Sequence, residues 1–319
     1  MNKIKLVTHS GRFHADDVFA TAVLTTLFDL QNKEYEIIRS RKEDDIESGD
    51  IVYDNGQKLD PENKVFDHHQ DGGAGERENK VPYAAFGLIW KHYGQDLIKE
   101  FFNKKTEQEN SQIELTIEQL EKIHQMIDES VVQPIDASDT GYEDYKSAKN
   151  ESLRTYMLDT VVNSYNTTNE EGYEKAYELF IEVVETAKKI LKRELIQAKS
   201  KSDNSKKIEI AYETAEDKRI IVLEHGGSWK EFLLSKEEPL YVIFPTVDND
   251  GYMIQAVTIA KSGYELRKPF PDNWHGKVLE ELEKETGVEG SKFCHLKGFL
   301  CGTETKEQAM EIAKTTVDK

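Results

Sequence analysis

The chain is poor in cysteine: only Cys294 and Cys301 stand among 319 residues. Their spacing matches no CxxC pair and cannot build a disulfide framework, so they read as reduced thiols in a cytosol-like compartment. Long apolar runs are missing as well; none reaches the roughly 18 residues a membrane helix needs. MNK passes almost directly into the apolar IKLV, which leaves no room for a signal peptide. These absences predict a cytoplasmic protein with no membrane partner. Positive charge is also scarce: 42 Lys and Arg face 61 Asp and Glu, a formal net charge of −19. Gripping long duplex nucleic acid takes a basic stripe that displaces counterions, and such an acidic surface argues against it. A short nucleotide or oligonucleotide held by metal ions and a few local cations stays compatible. No internal repeat is visible.

What is present suits two α/β domains. The length exceeds one typical domain, and 37% hydrophobic residues suffice for a core in each half. Ile4–Thr8, Tyr35–Arg39, Gly49–Tyr53 and the pair Val65-Phe66 read as short strands. Val18–Leu30, Ala84–Tyr93 and the amphipathic Ile117–Asp128 read as helices. Strands alternating with helices imply a parallel sheet, whose ligands sit at the carboxyl ends of the strands. The Gly-rich Asp71–Lys80, the polar Asn103–Gln112 and the acidic Ile135–Asp144 read as loops or exposed segments. A long helical pattern from about Glu170 to Ala198 ends in KSKSDNSKK, a linker by composition. Beyond it Lys207–Tyr212, Arg219–Leu223, Tyr241–Thr246 and Met253–Ile259 read as strands. Asn249-Asp250-Gly251 closes a hairpin between the last two, and Gln308–Val317 is a terminal helix. The expected division is 1–203, a metal-binding catalytic domain with a linker helix, and 204–319, a smaller α/β substrate-binding domain.

Histidines and acids gather at the predicted strand ends. THSGRFHADD holds His9, His14, Asp16 and Asp17; Asp54 follows IVY; Asp67-His68-His69 follows Val65-Phe66; Asp136 and Asp139 lie in IDASDTG. Taken singly, Asp54, Asp136 and Asp139 could be turn caps. Adjacent histidines after a strand-end acid have little structural use, whereas neutral imidazole is a common ligand of Mn2+, Zn2+ or Fe2+. As a set they suit two ions about 3.5–4 Å apart, bridged by a carboxylate and acidifying a water. Mixed imidazole and carboxylate donors lean towards Mn2+, with Mg2+ as the alternative.

The order His…Asp, strand-end Asp, Asp-His-His and a further Asp resembles the four motifs of the DHH phosphoesterases. More closely, THSGRFHADDVFA, YDNG, FDHHQ, IDASDTG, RKPFPDNWHG and GFLCGTETKEQA together resemble the family named for melanocyte proliferating gene one. The resemblance implies a two-domain, DHH phosphoesterase-like fold and a metal-dependent 3′–5′ exonuclease acting on short single-stranded RNA. Carried over by position, His9, His14 and Asp54 would hold one ion. Asp16, Asp54, His68 and Asp136 would hold the second, with Asp54 the bridge. His69 would contact the phosphate or protonate the leaving oxygen, and Asp67 would orient the histidine pair. Asp17 and Asp139 would be supporting or turn acids. The first motif departs from the usual His-x-x-x-Asp-x-Asp, since His14 stands where an Asp is expected, one residue further on.

The resemblance also implies a C-terminal domain that binds the rest of the substrate. Arg267 and Lys268 are natural phosphate contacts, though a solvated pair is the plain alternative. Trp274 would stack on a base or pack in the core. His295, Gly298 and Gly302 match a family segment whose backbone could approach a phosphate. Cys301 replaces one of that segment's paired glycines, and His275 stands where the family commonly has Arg. Two other readings stay open: a hydrolase of a small phosphoester or phosphoanhydride, and a non-catalytic metal- or nucleotide-binding regulator.

Overall fold

The structure is a computed structural model and describes residues 3–109, 115–142, 156–260 and 263–318. It divides into two compact units, Met1–Lys199 and Ser200–Lys319.

The first unit opens with β1 (Ile4–Thr8), helix α1 (Ala15–Leu30) and β2 (Tyr35–Arg39), followed by α2 (Glu43–Glu47) and β3 (Ile51–Tyr53). The short β4 (Leu59–Asp60) and β5 (Val65–Phe66) complete a five-stranded sheet of order β2-β1-β3-β5-β4. All its pairings are parallel except β4 with β5. β4 was not expected; two residues carry too little pattern to read as a strand. With β2 on one side of β1 and β3 on the other, the chain reverses its winding at β1/β3. Such a switch point is where open α/β sheets leave a crevice at their carboxyl ends.

α1 is buried on almost every side from Ala15 to Phe28. Two of its buried threonines avoid the cost of unpaired hydroxyls by donating back along the helix, Thr21 to the Asp17 carbonyl and Thr25 to that of Thr21, both at 2.7 Å. α1 packs on α3 (Ala85–Glu109), with Phe19 and Phe86 in ring contact at 5.5 Å. The part of the polar stretch beyond Glu109 lies outside the described residues until Leu115. α4 (Ile117–Ile127) passes through a π-helical turn, Asp128–Val132, into α5 (Gln133–Asp139). The expected acidic loop is therefore helical as far as Asp139, because Ile135, Asp136 and Ala137 are buried against the core. Glu143 and Asp144 lie outside the described residues.

After α6 (Leu158–Asn163), α7 spans Ala176–Thr214 without a break. This corrects two expectations: KSKSDNSKK is helical, and so is Lys207–Tyr212. Around this stretch Leu191, Leu195, Ala198 and Ser202, then Ile208 and Tyr212, are buried, on a helical rather than an alternating spacing. The alternation Ile208-Ile210-Tyr212 imitates a strand, but Ile210 is left 61% exposed.

The second unit continues with β6 (Ile220–Val222), α8 (Lys230–Leu233), β7 (Tyr241–Pro245) and β8 (Tyr252–Ala256), then α9 (Leu279–Thr286), β9 (Ser291–Cys294), β10 (Leu300–Thr303) and α10 (Lys306–Val317). Its sheet has the order β6-β7-β8-β10-β9; β6–β7 is parallel and the other pairs are antiparallel, the expected β7–β8 hairpin among them. Cys294 and Cys301 are free buried thiols facing each other across β9 and β10. Among the described residues no helix is long and apolar enough to cross a membrane.

Candidate metal centre

Three strands of the first sheet deliver the expected residues at one edge. His9 directly follows β1, Asp54 follows β3, and Asp67-His68-His69 follows β5. His14, Asp16 and Asp17 come from the turn into α1 and its first residues. Asp54 takes a left-handed backbone with φ 50°, unusual outside glycine, and is buried to 3% exposure.

The donors fall into sets whose ligand atoms lie within 4.8 Å of one another: His9, His14 and Asp54; Asp54, Asp67, His68 and His69; Asp16, His68 and Asp139. His9 Nδ1 lies 3.1 Å from the Ser10 carbonyl, which can only accept, so that nitrogen carries the proton. Nε2, 3.1 Å from Asp54 Oδ2, is then the nitrogen that faces the carboxylates and would ligate a metal ion. Asp17 accepts the His14 backbone N–H at 2.8 Å and lies 3.5 Å from His9 Nε2, a supporting position beside the ring. Asp16, fully buried, accepts the N–H groups of Ala85 and Phe86 at 3.1 and 2.7 Å, where α3 begins.

Asp67 organises the histidine pair. Its Oδ1 accepts the backbone N–H groups of His68 and His69 and lies 2.8 Å from His69 Nδ1, while Oδ2 accepts the Gln57 N–H at 2.6 Å. A protonated Nδ1 on that carboxylate leaves His69 Nε2 free on a half-exposed ring. His68 Nε2 meets Asp139 Oδ2 at 3.1 Å, and its Nδ1 is 3.9 Å from Asp54 Oδ1.

Asp136 is occupied differently. Its Oδ1 accepts the Gly87 N–H at 2.9 Å, and its Oδ2 is paired with Arg77 Nη2 at 2.8 Å. Arg77 also makes a forked pair to Asp128, with Nε and Nη2 at 2.9 and 2.7 Å. Asp136 belongs to none of the donor sets, and Asp139, one helical turn on, does. Sequence reasoning missed Arg77 because it sits in the Gly-rich segment expected to be a plain loop.

Electrostatics describe a site short of positive charge. Burial raises the Asp16 pKa well above the carboxylate range, and the charges of Asp139, Asp54 and Asp136 raise it further. Burial likewise pushes Asp17 up to about 7 against the pull of His9. Burial works against a proton on His9, yet its hydrogen bond to Asp54 and the charges of Asp17 and Asp54 leave the pKa raised. Asp54 resists its own burial through His9, His68 and His69 and stays depressed. Asp17 Oδ2, Asp54 Oδ1 and His68 Nδ1 are buried with no hydrogen-bond partner among the described residues. Buried polar atoms of this kind require a partner, and clustered carboxylates beside imidazole nitrogens fit divalent cations. A cavity of about 330 Å³ opens onto His9, His14, Asp54, His69 and Asp139.

The residues expected to bind substrate in the second unit have other partners. Arg267 donates to the carbonyls of Leu234, Glu237 and Pro239, and Lys268 to that of Val317. Trp274 is fully buried and stacks on Phe270 as core. His295 packs on the Phe299 ring at 4.4 Å and accepts the Lys297 N–H. A Cβ at Gly298 (φ 62°) would overlap the His275 ring, and one at Gly302 would overlap Phe293, so close packing of rings accounts for both glycines.

A model of the MYG1 exonuclease type, described as an uncharacterised protein family (UPF0160), matches residues 5–317. A MYG1 protein of Dictyostelium discoideum is 30% identical over 100% of this chain and 98% of its own. One from Caenorhabditis elegans is 29% identical over 98% and 94%. A human protein named MYG1 exonuclease is 25% identical over 98% of this chain and 85% of its own. Among solved structures, a pGpG-specific phosphodiesterase from a Vibrio species is 14% identical over 99% of this chain and 97% of its own, at a TM-score of 0.27. That last likeness is too weak to bear on fold or activity.

Proposed function

This chain belongs to the MYG1 family (UPF0160), and from that premise we propose that it is a metal-dependent phosphodiester hydrolase of the DHH type. Its substrate in this reading is the 3′ end of a short single-stranded RNA. The observation that carries the reading is the position of Asp54, a buried, backbone-strained carboxylate shared by two donor sets. The relatives named exonuclease support the phosphoesterase class; polarity and RNA preference rest on the family resemblance alone.

In this reading His9, His14 and Asp54 hold one divalent ion, and Asp16, Asp54, His68 and Asp139 the other. Asp139 takes the place first expected of Asp136, since Asp136 is paired with Arg77. Bound ions, Mn2+ in preference to Mg2+, supply Lewis acidity, which neutralises phosphoryl oxygens and acidifies a water. The chain's own residues do the positioning. The carbonyl of Ser10 sets the His9 tautomer, and Asp67 fixes the backbone of His68 and His69 as well as the His69 ring. His69 Nε2, free of that bond, is available to contact a phosphate oxygen or to carry a proton to the leaving oxygen.

The test uses purified protein with Mn2+ and RNA oligonucleotides labelled at either end, compared with pyrophosphate and a dinucleotide. Stepwise release of mononucleotides from the 3′ end, lost in Asp54→Ala, is expected. Hydrolysis of pyrophosphate alone would move the assignment to small phosphoanhydrides, a reading that the net charge of −19 favours. Wild-type protein inactive on every substrate would overturn the enzyme.

A further inference from the structure

The donors described so far can hold metal ions, but none of them carries a fixed positive charge to seat a phosphate. Arg267 and Lys268 are spent on backbone carbonyls, and Arg77 on Asp128 and Asp136. Among the described residues, the lining of the metal-site cavity includes three carboxylates, Asp54, Asp139 and Asp159, and one side chain of fixed positive charge, Arg41.

Arg41 lies two residues past the end of β2, which runs parallel to β1, so it reaches the same carboxyl edge as His9. Its backbone is held beside the centre: Asn55, next to Asp54, donates from Nδ2 to the Ser40 carbonyl at 2.7 Å. Among the described residues its side chain is anchored at one point, Nε donating to the Ser10 carbonyl at 3.2 Å. Ser10 is the residue whose carbonyl also orients His9. Arg39 ties to the same turn through Gly11, but its guanidinium lies over the rings of Phe13 and Phe180. Arg41 thus keeps Nη1 and Nη2, the outer fork of the guanidinium, clear of the bond that positions it. That fork matches two oxygens of one phosphate. Arg41 also borders a second cavity, of about 660 Å³, with Asn55, Gln57 and Lys58 in its wall. Arg41 thus stands in the wall of both cavities.

We propose that Arg41 is the phosphate-binding residue of this site: it grips a phosphodiester through Nη1 and Nη2 and seats it against the donors of the metal centre. This inference rests on the phosphodiesterase reading and adds the residue that recognises the anion.

The experiment compares wild type, Arg41→Ala and Arg41→Lys, each loaded with Mn2+. Three quantities are measured: bound metal, affinity for AMP by calorimetry, and KM and kcat on a short RNA. Arg41→Ala is expected to keep the wild-type metal content while AMP affinity falls and KM rises by about tenfold or more, the scale of one lost charge-assisted contact. Arg41→Lys, which keeps charge without the fork, is expected to recover part of both. Unchanged AMP affinity and KM in Arg41→Ala, in an enzyme whose wild type is active, would overturn the role of Arg41 alone. Wild-type protein that neither binds AMP nor cleaves RNA would overturn the phosphodiesterase reading and this inference with it.

Discussion

Asp136 and Asp139 lie one helical turn apart on α5, and the fold gives them different partners: Asp136 pairs with Arg77 at 2.8 Å, Asp139 with His68 Nε2 at 3.1 Å. One motif therefore serves two ends. Its first acid ties α5 to the segment after the histidine pair, and its second faces His68 in the candidate metal centre.

Substituting the two acids separately tests that division. Asp139→Asn is expected to lower bound metal and to reduce hydrolysis by about ten- to a hundredfold, the loss typical when a ligand's support is removed. Asp136→Asn is expected to retain metal and to melt at lower temperature. Metal analysis of the two purified variants decides; metal lost from Asp136→Asn and kept by Asp139→Asn would reverse the assignment.

Arg77 is 8% exposed between two carboxylates, Asp128 and Asp136, and Tyr83 lies beneath its guanidinium. Removing one partner from a buried ion pair leaves charge uncompensated, at a cost of about 3–5 kcal/mol. Arg77→Met should show a loss of that size in denaturant unfolding, and Arg77→Met with Asp136→Asn should lose less than the sum of the single changes. Additive losses would mean that the pair contributes nothing as a unit.

Stability of the metal-stripped protein should fall as pH rises from about 5 to 8, a window set by direction of the shifts. Burial raises Asp16, and it pushes Asp17 to about 7. A carboxyl group whose folded pKa lies above its unfolded value stabilises below the unfolded value and loses that contribution as pH climbs through the folded one. His9 and His68 are raised despite burial, through Asp54 and Asp139 respectively, and lose their contribution in the same direction. Asp54 is depressed, so its contribution is lost only at acid pH, outside the window. Saturating Mn2+ should reverse the trend, because ions displace the protons more completely at high pH. Melting curves in chelator and in Mn2+ at pH 5.5 and 7.5 measure this; identical slopes under both conditions would argue against metal at these donors.

The continuity of α7 gives a fourth test. Asn204 lies inside the helix, in a segment that by composition would be a linker. Proline there removes a helical hydrogen bond and clashes with the preceding turn, costing about 3 kcal/mol. Asn204→Pro should lower the unfolding free energy by that amount, whereas a true linker would tolerate it.

The sequence by itself determined the sheet of the first unit and the gathering of histidines and acids at its carboxyl edge. Each of β1, β3 and β5 is a short apolar run ending abruptly in His or Asp, and in a parallel sheet such ends share one edge. That logic is local, so it could be read from residues a few positions apart. The tertiary structure decided what local pattern leaves degenerate. Asp136 and Asp139 are the same residue type in one motif, and only the docking of α5 against Arg77 and Gly87 separates their roles. Arg267 and Lys268 look like phosphate ligands until the chain folds and supplies carbonyls for them. KSKSDNSKK has no helical signal of its own; Ser202, Ile208 and Tyr212 are buried once α7 packs. In each case the choice follows from partners far away in the chain: a buried charge such as Asp136 finds its counter-charge, partly buried cations find carbonyls, and a buried helix face tolerates residues of poor propensity.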